Sequence, residues 1–179
     1  KTKGELYDFL ARDGGLVFLN SDNLHLADMI SRRNIANVYR YGTTGGEAVK
    51  VVGEVVSCAP LLRFRWQQDP AAPYEVQTKL IGTYNLDNLL AAISVGLHFG
   101  VEPAAINAAL EAYTPSNNRS QLDHTVHNHL IVDAYNANPT SMAAALDNFE
   151  RMEVSPKMAI LGKMGELGDV SAEEHQRVV

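Results

Sequence analysis

The chain has 179 residues, 46% of them hydrophobic and 20% charged, with a formal net charge of -6. That length holds one ordinary domain or parts of two, and the balance excludes a disordered chain. The acidic excess, with no Lys/Arg cluster against it, excludes a broad nucleic-acid surface.

A single cysteine, Cys58, excludes an internal disulfide and fits a reducing compartment. No apolar run approaches a membrane span, and "KTKGELYDFL" is amphipathic instead of signal-like, so a cytosolic protein is expected. From Gly4 the apolar positions Leu6, Phe9 and Leu10 recur at helical spacing, and Asp13-Gly14-Gly15 ends that helix. "LVFLN" reads as a buried strand, followed by a helix around "LHLADMIS". From Asn37 to Thr78 the texture turns β-rich: "NVYRYG", "VKVVGEVV", "LLRFRWQ" and "YEVQTKL" alternate with Gly and Pro signals. The intervening "YGTTGGEAVK" reads as a glycine-rich hairpin connection. A Walker A loop needs Gly-Lys-Ser/Thr to bring its lysine to the phosphates, and here Glu47 follows Gly46. Arg32-Arg33 and Arg63-Phe64-Arg65 read as solvated faces. Two helices follow, "YNLDNLLAAISVGLHFG" and, opening at Pro103, "PAAINAALEAY".

"TPSNNRSQ" then interrupts the pattern with turn formers and is the expected domain boundary. Beyond it the order is strand (His129 to Asp133), helix (Pro139 to Met152), strand (Lys157 to Leu161), loop, helix. That alternation predicts parallel strands with crossover helices, the opening of a doubly wound domain. The chain begins inside one helical pattern and stops just after another starts, so a fragment of a longer protein is expected.

Four features carry candidate chemistry. In "HLIVDAYNANPTSM" a strand runs into Asp133, and Asn138-Pro139 is a good helix start, so Asp133 to Ala137 form a strand-to-helix loop. Ligands sit at such loops in open α/β sheets and helix N-termini attract anions, although a tight Asx connection explains the same residues. Asn85 and Asn88 stand three apart at a helix start, with Gly82 just before; amides suit a nucleobase edge, whereas Asn85 as a plain helix cap is the commoner case. Arg119 in the linker either reaches a phosphate held between domains or is an exposed charge. His124, His127 and His129 lack a convincing further ligand and read as a polar hairpin, not a metal site. "NRS" at Asn118 is a chance match to a glycosylation acceptor.

Together "VDAYNANPTSM", "GTYNLDNLLAA", "NNRSQ" and "LGKMGELG...EEH" resemble the Mur ligases in order and approximate spacing, and "DAYNANP" is most similar to the branch that adds D-alanyl-D-alanine. The resemblance implies an α/β fold: residues 1–115 as the latter half of the central ATP-binding domain, with its β-rich section, and residues 116–179 as the start of a Rossmann-like C-terminal domain. It also implies an ATP- and magnesium-dependent carbon-nitrogen ligase of bacterial peptidoglycan synthesis. That enzyme joins D-Ala-D-Ala to UDP-N-acetylmuramoyl-tripeptide through an acyl phosphate, in the cytoplasm, as a monomer at full length.

Residue by residue, Asn85 and Asn88 match asparagines at the adenine side of ATP, Arg119 an interdomain arginine near the phosphates, and Asp133 an aspartate that contacts the ribose; Asn136 is an unassigned polar group nearby. "KTKGELY" makes Lys3 the match for a lysine carbamylated in the family, whose carboxylate-like oxygens help hold magnesium. Lys163 stands where relatives often carry an aspartate, which removes an acidic role there. With no Walker A loop among these residues, the 179-residue piece alone is expected to be inactive. The alternatives are a sister ligase, Mur or folylpolyglutamate synthase-type, and a non-catalytic α/β nucleotide-binding module.

Overall fold

The computed structural model describes residues 2–46, 48–68, 70–116 and 118–178, with side chains from Gly4 onward. Helix α1 (Thr2–Asp13), strand β1 (Leu16–Asn20), helix α2 (Leu24–Ser31) and strand β2 (Asn37–Gly42) form the first unit. Strands β3 (Val49–Cys58), β4 (Leu61–Gln68) and β5 (Tyr74–Ile81) continue the sheet, and helices α3 (Asn85–His98) and α4 (Pro103–Ala112) cover it. The sheet order is β1-β2-β3-β4-β5, parallel over β1–β3 and antiparallel over β3–β5.

The two periodicities decide which face each helix covers. In β1, Val17 and Leu19 point to Ile30, Leu10 and Tyr7 of the α1/α2 layer. Phe18 points the other way, onto Tyr39 and His98, so the parallel half is covered on both faces, as parallel sheets require. Leu62, Phe64 and Trp66 of β4 are buried under α3 and α4, while Arg63 and Arg65 alternate outward to pair with Glu75 and Glu54. This antiparallel half therefore has one wet face, and its arginines are cross-strand partners as well as solvated charges. Likewise Arg33 is bound by Asp8 at 2.6 Å, tying the end of α2 to α1.

Helix α3 is apolar at Leu86, Leu89, Leu90 and Ile93, the i, i+3, i+4, i+7 pattern, and all four are buried. It lies close to the sheet because Gly53 lies beneath it: a Cβ there would meet Leu90 Cδ2 at 2.5 Å. Trp66 Nε1 donates to Asn107 Oδ1 at 2.8 Å, fastening α4 to β4.

Three expectations need correction. The 43–48 connection is not a hairpin, because β2 and β3 run parallel. Only the end of β2 lies beside the start of β3, Arg40↔Val49 to Gly42↔Val52, so the loop has merely to double back about 10 Å, which six residues do without a helix. Leu6 and Phe9 of the α1 stripe are 60% and 48% exposed, and only Leu10 of the three packs inward.

Residues 157–161 are not a strand. β7 (His129–Val132) pairs antiparallel with β6 (Gln121–His124), and no described strand lies beside 157–161; without a partner for its N–H and C=O groups the run stays irregular, with Ile160 87% exposed. The doubly wound start is thus represented by the β6–β7 hairpin, α5 (Pro139–Arg151) and α6 (Ser171–Val178), without a parallel pair. His124 and His129 are cross-strand partners in that hairpin, Nδ1 to Nδ1 2.6 Å.

Leu90→Ala leaves a cavity above Gly53 and should cost about 2–5 kcal/mol in urea unfolding; a loss below about 1 kcal/mol would show that α3 does not rest on this contact. Partial desolvation holds the Asp87 carboxyl above the usual carboxylate range, although the residue is exposed at the surface, with the Asp22 charge adding and an Asn20 hydrogen bond opposing. A raised acid stabilises the fold below its unfolded pKa and loses that contribution as pH rises through its folded pKa. Asp87→Asn should therefore raise the urea midpoint at neutral pH and lose that advantage near the ordinary carboxylate pKa of about 4. An equal shift at both pH values would contradict it.

Candidate functional site

The sequence brings three chain segments to one place: the β5–α3 turn, the linker before β6, and the loop after β7. The first is set by Gly82, at φ +91°, where any side chain would be strained and a Cβ would also overlap the Tyr84 ring. Tyr84 is therefore laid against the turn and its hydroxyl reaches across to the second half of the chain.

There the hydroxyl lies 2.8 Å from Ser120 Oγ and donates to Asp133 Oδ2 at 3.4 Å. The Ser120 N–H donates to Asp133 Oδ1 at 3.3 Å, and Asn85 Nδ2 donates to Ser120 Oγ at 3.4 Å. Because the one Tyr84 proton goes to the carboxylate, the Ser120 hydroxyl must donate to Tyr84, and all bonds run in one sense: Asn85 to Ser120 to Tyr84 to Asp133. Burial raises the Tyr84 hydroxyl above the ordinary phenol range, the Ser120 bond opposing and the Asp133 charge adding, so it is a protonated donor at neutral pH. Ser120 is 4% exposed and, like Asn118, sits in the left-handed region, at φ 49° and 55°. Such conformations cost of order 1 kcal/mol and persist where surroundings over-determine them. Here the surroundings are these bonds and Ala134 N–H to Asn118 O, at 2.8 Å.

Asn85 and Asn88 do share a face, Asn88 Nδ2 donating to Asn85 Oδ1 at 3.3 Å. They are not equivalent. Asn85, 8% exposed, spends its donors on Ile81 O and Ser120; it is not the helix cap, since Tyr84 holds that position without a side-chain bond. Asn88 is exposed.

Arg119 is exposed but not a loose linker charge: its guanidinium lies 3.9 Å from the centroid of the Tyr135 ring, in the loop after β7. Asn136 is exposed in the same loop. Asn138 caps α5 in a reciprocal box with Ser141, so the helix-start signal is explained by capping and one of its N-terminal amides is already used. Lys3 lies in α1, but its side chain falls outside the described residues.

Lys163 is exposed beside Met164, which is 1% exposed; the Met164 N–H donates to His175 Nε2 at 3.0 Å, and His175 Nδ1 donates to Ser171 O at 2.7 Å. The "EEH" signature thus ties α6 to the loop before it.

A cleft of about 420 Å³ opens behind Tyr84, between Val55, Cys58 and Thr83 on the sheet side and Asp147, Asn148 and Arg151 on α5. The single Cys58 S–H proton has two acceptors within reach, Pro60 O at 3.5 Å and Asn148 Oδ1 at 3.6 Å, and burial pushes its thiol up, opposed by a bond from the Gly82 backbone. The raised thiol stays in its protonated, weakly nucleophilic form at neutral pH. Tyr84 and Ser120 were not singled out in the sequence; the one available signal was Tyr84 standing between Gly82 and Asn85.

The family profile of the Mur ligase middle domain matches residues 1–96, and that of the Mur ligase glutamate ligase domain matches residues 118–179. The UDP-N-acetylmuramoyl-tripeptide–D-alanyl-D-alanine ligase of Treponema pallidum (strain Nichols) is 39% identical over 105 residues, 58% of this chain and 22% of that protein. The ligase of the same name from Mycobacterium bovis is 32% identical over 99% of this chain and 36% of its own length. A crystal structure of MurF from Acinetobacter baumannii superposes with a TM-score of 0.78 at 26% identity, over 92% of this chain and 35% of that one. MurF from Thermotoga maritima, solved in complex with ADP, shares the fold with a TM-score of 0.75 at 20% identity, over 92% of this chain and 37% of its own. The chain thus spans between 22% and 36% of the length of these two curated ligases. With one profile covering more than half of the residues and a second covering most of the remainder, the chain belongs to the Mur ligase family.

Proposed function

We propose that this chain is part of an ATP-dependent carbon-nitrogen ligase of bacterial peptidoglycan synthesis, working in the cytoplasm, and that its junction is one wall of the nucleotide site. The observation that carries the reading is the meeting of Asp133 and Ser120, from the second half, with Tyr84 and the Asn85–Asn88 pair of the first. Residues 1–115 serve as the later part of the central domain and residues 116–179 as the start of the C-terminal one.

The donor set fits a nucleoside. Each Asp133 oxygen takes one long bond, while a carboxylate has about four acceptor positions, so the exposed carboxylate can still accept from ribose hydroxyls. Asn88 presents an exposed amide toward the base, with Asn85 fixing it from behind. Arg119, braced on Tyr135, supplies charge for the phosphates, and Asn136 adds a polar group at the same loop. Lys3, as a carbamate, would contribute to holding magnesium, which neutralises phosphate charge; its side chain lies outside the described residues, and no three acidic or histidine groups converge among those described.

In the whole enzyme the terminal carboxylate of UDP-N-acetylmuramoyl-tripeptide accepts a phosphoryl group from ATP, and the D-Ala-D-Ala amine displaces phosphate from the acyl phosphate. The contribution of this chain is orientation and closure: groups on both halves grip one nucleotide, so binding tightens the contact already made at Tyr84 and excludes water.

Asp133→Ala in the full-length protein should weaken ADP binding, read by titration calorimetry, at least about tenfold, the size of a lost hydrogen bond to a charged group. An unchanged affinity would remove Asp133 from the site. The 179-residue chain by itself should release no phosphate from ATP with both substrates present, and turnover by it would refute the need for the missing phosphate loop. Assay of the full-length enzyme with D-Ala-D-Ala against single amino acids decides between this ligase and its sister enzymes.

A further inference from the structure

Asp133 stands on an exposed loop, where a carboxylate would ordinarily sample several rotamers. Here both its oxygens are taken by groups of the β5–α3 turn and linker, and those groups are themselves fixed: Ser120 is buried and Tyr84 is pressed onto Gly82. We propose that Tyr84, from across the domain junction, and Ser120, from the same side, are positioning residues that hold the Asp133 carboxylate before any nucleotide arrives.

Three observations converge on this. The donors run in a single direction from the Asn85 amide, anchored on Ile81 O at 2.8 Å, to the carboxylate, so the orientation of each group is dictated by its neighbour. The backbone just before Ser120 is also tied to the loop after β7, with Asn118 O accepting the N–H of Ala134, the residue directly after Asp133, at 2.8 Å. Finally, the two bonds to the carboxylate are long, 3.3 and 3.4 Å, so they orient it without using its full acceptor capacity. A pre-oriented but unsaturated acceptor costs a ligand less ordering entropy than a free side chain.

The inference rests on Asp133 as a nucleotide contact, and the test separates the two. Tyr84→Phe keeps the ring on Gly82 and removes only the hydroxyl. In the nucleotide-free full-length enzyme, amide exchange should be faster at Ser120 and Ala134 in this variant, with Phe64 in β4 unchanged. In the full-length enzyme the same variant should raise KM for ATP by roughly 3- to 10-fold, the range of one net hydrogen bond, and leave kcat within about twofold. A merely structural role would lower the active fraction, and so kcat, at constant KM. Unchanged exchange at Ser120 and Ala134, or a fall in kcat at constant KM, overturns the proposal. If Asp133→Ala leaves ADP affinity unchanged while Tyr84→Phe still speeds exchange, the latch between the halves stands and the nucleotide role of Asp133 falls.

Discussion

Everything at the junction depends on how closely α3 approaches the sheet. Gly53 leaves room for Leu90 directly against β3, and the row Leu86, Leu89, Leu90, Ile93 seals the helix over Leu62, Phe64 and Trp66. That contact fixes the axis of α3, and with it the place where the chain must leave β5 and turn into the helix. The turn is made by Gly82 at positive φ, with the Tyr84 ring folded over it. A helix standing one methyl group further from the sheet would carry Tyr84, Asn85 and Asn88 with it, and the contact with Asp133 would be lost. Core packing density and polar geometry are here the same constraint.

The polar side of the junction is modest in energy and strict in direction. Each bond across it is worth about 1 kcal/mol net, and the two non-glycine residues in left-handed conformations, Asn118 and Ser120, offset part of that. The halves are therefore held lightly by polar contacts, with the cleft behind Tyr84 left unfilled. A light hold suits the closure on a nucleotide proposed above, since a deep apolar interface between α5 and the sheet would cost several kcal/mol at each opening. Cys58 and Asn148, in contact across the same cleft, make the one side-chain bond between α5 and the sheet among the described residues.

Period-based reasoning worked where one element answers to one core. β1 to β5 and α3 to α5 stand at or near the runs expected for them, because alternation and the 3.6-residue repeat report burial directly. It failed where a second element had to be known. Leu6 and Phe9 have helical spacing but no surface beneath them among the described residues. Lys157 to Leu161 have strand composition, but a strand exists only through its neighbour's hydrogen bonds, and among the described residues none is there. The 43–48 connection contains hairpin residues, yet the direction of β3 is set by what β3 pairs with, not by its loop. Asn138 was readable as a cap because capping is local; Asn85 looked like one, and only the position of Ile81 O shows that it faces inward.

The sequence by itself therefore determined the elements, the absence of a disulfide, the α/β class and, through motif order, the family, all of which follow from short-range periodicity, composition or pattern. It also named Asn85, Asn88, Arg119 and Asp133, but as separate residues, the last two with several positions of linker and hairpin between them. Only the tertiary structure decided that Asp133 meets Tyr84 and Ser120, that Asn85 braces while Asn88 is exposed, and that Arg119 lies on Tyr135. The physical reason is range. Hydrogen bonds between Tyr84 and residues 36 and 49 positions away leave no periodic trace in the chain, and their geometry is set by how α3 packs and how Gly82 turns.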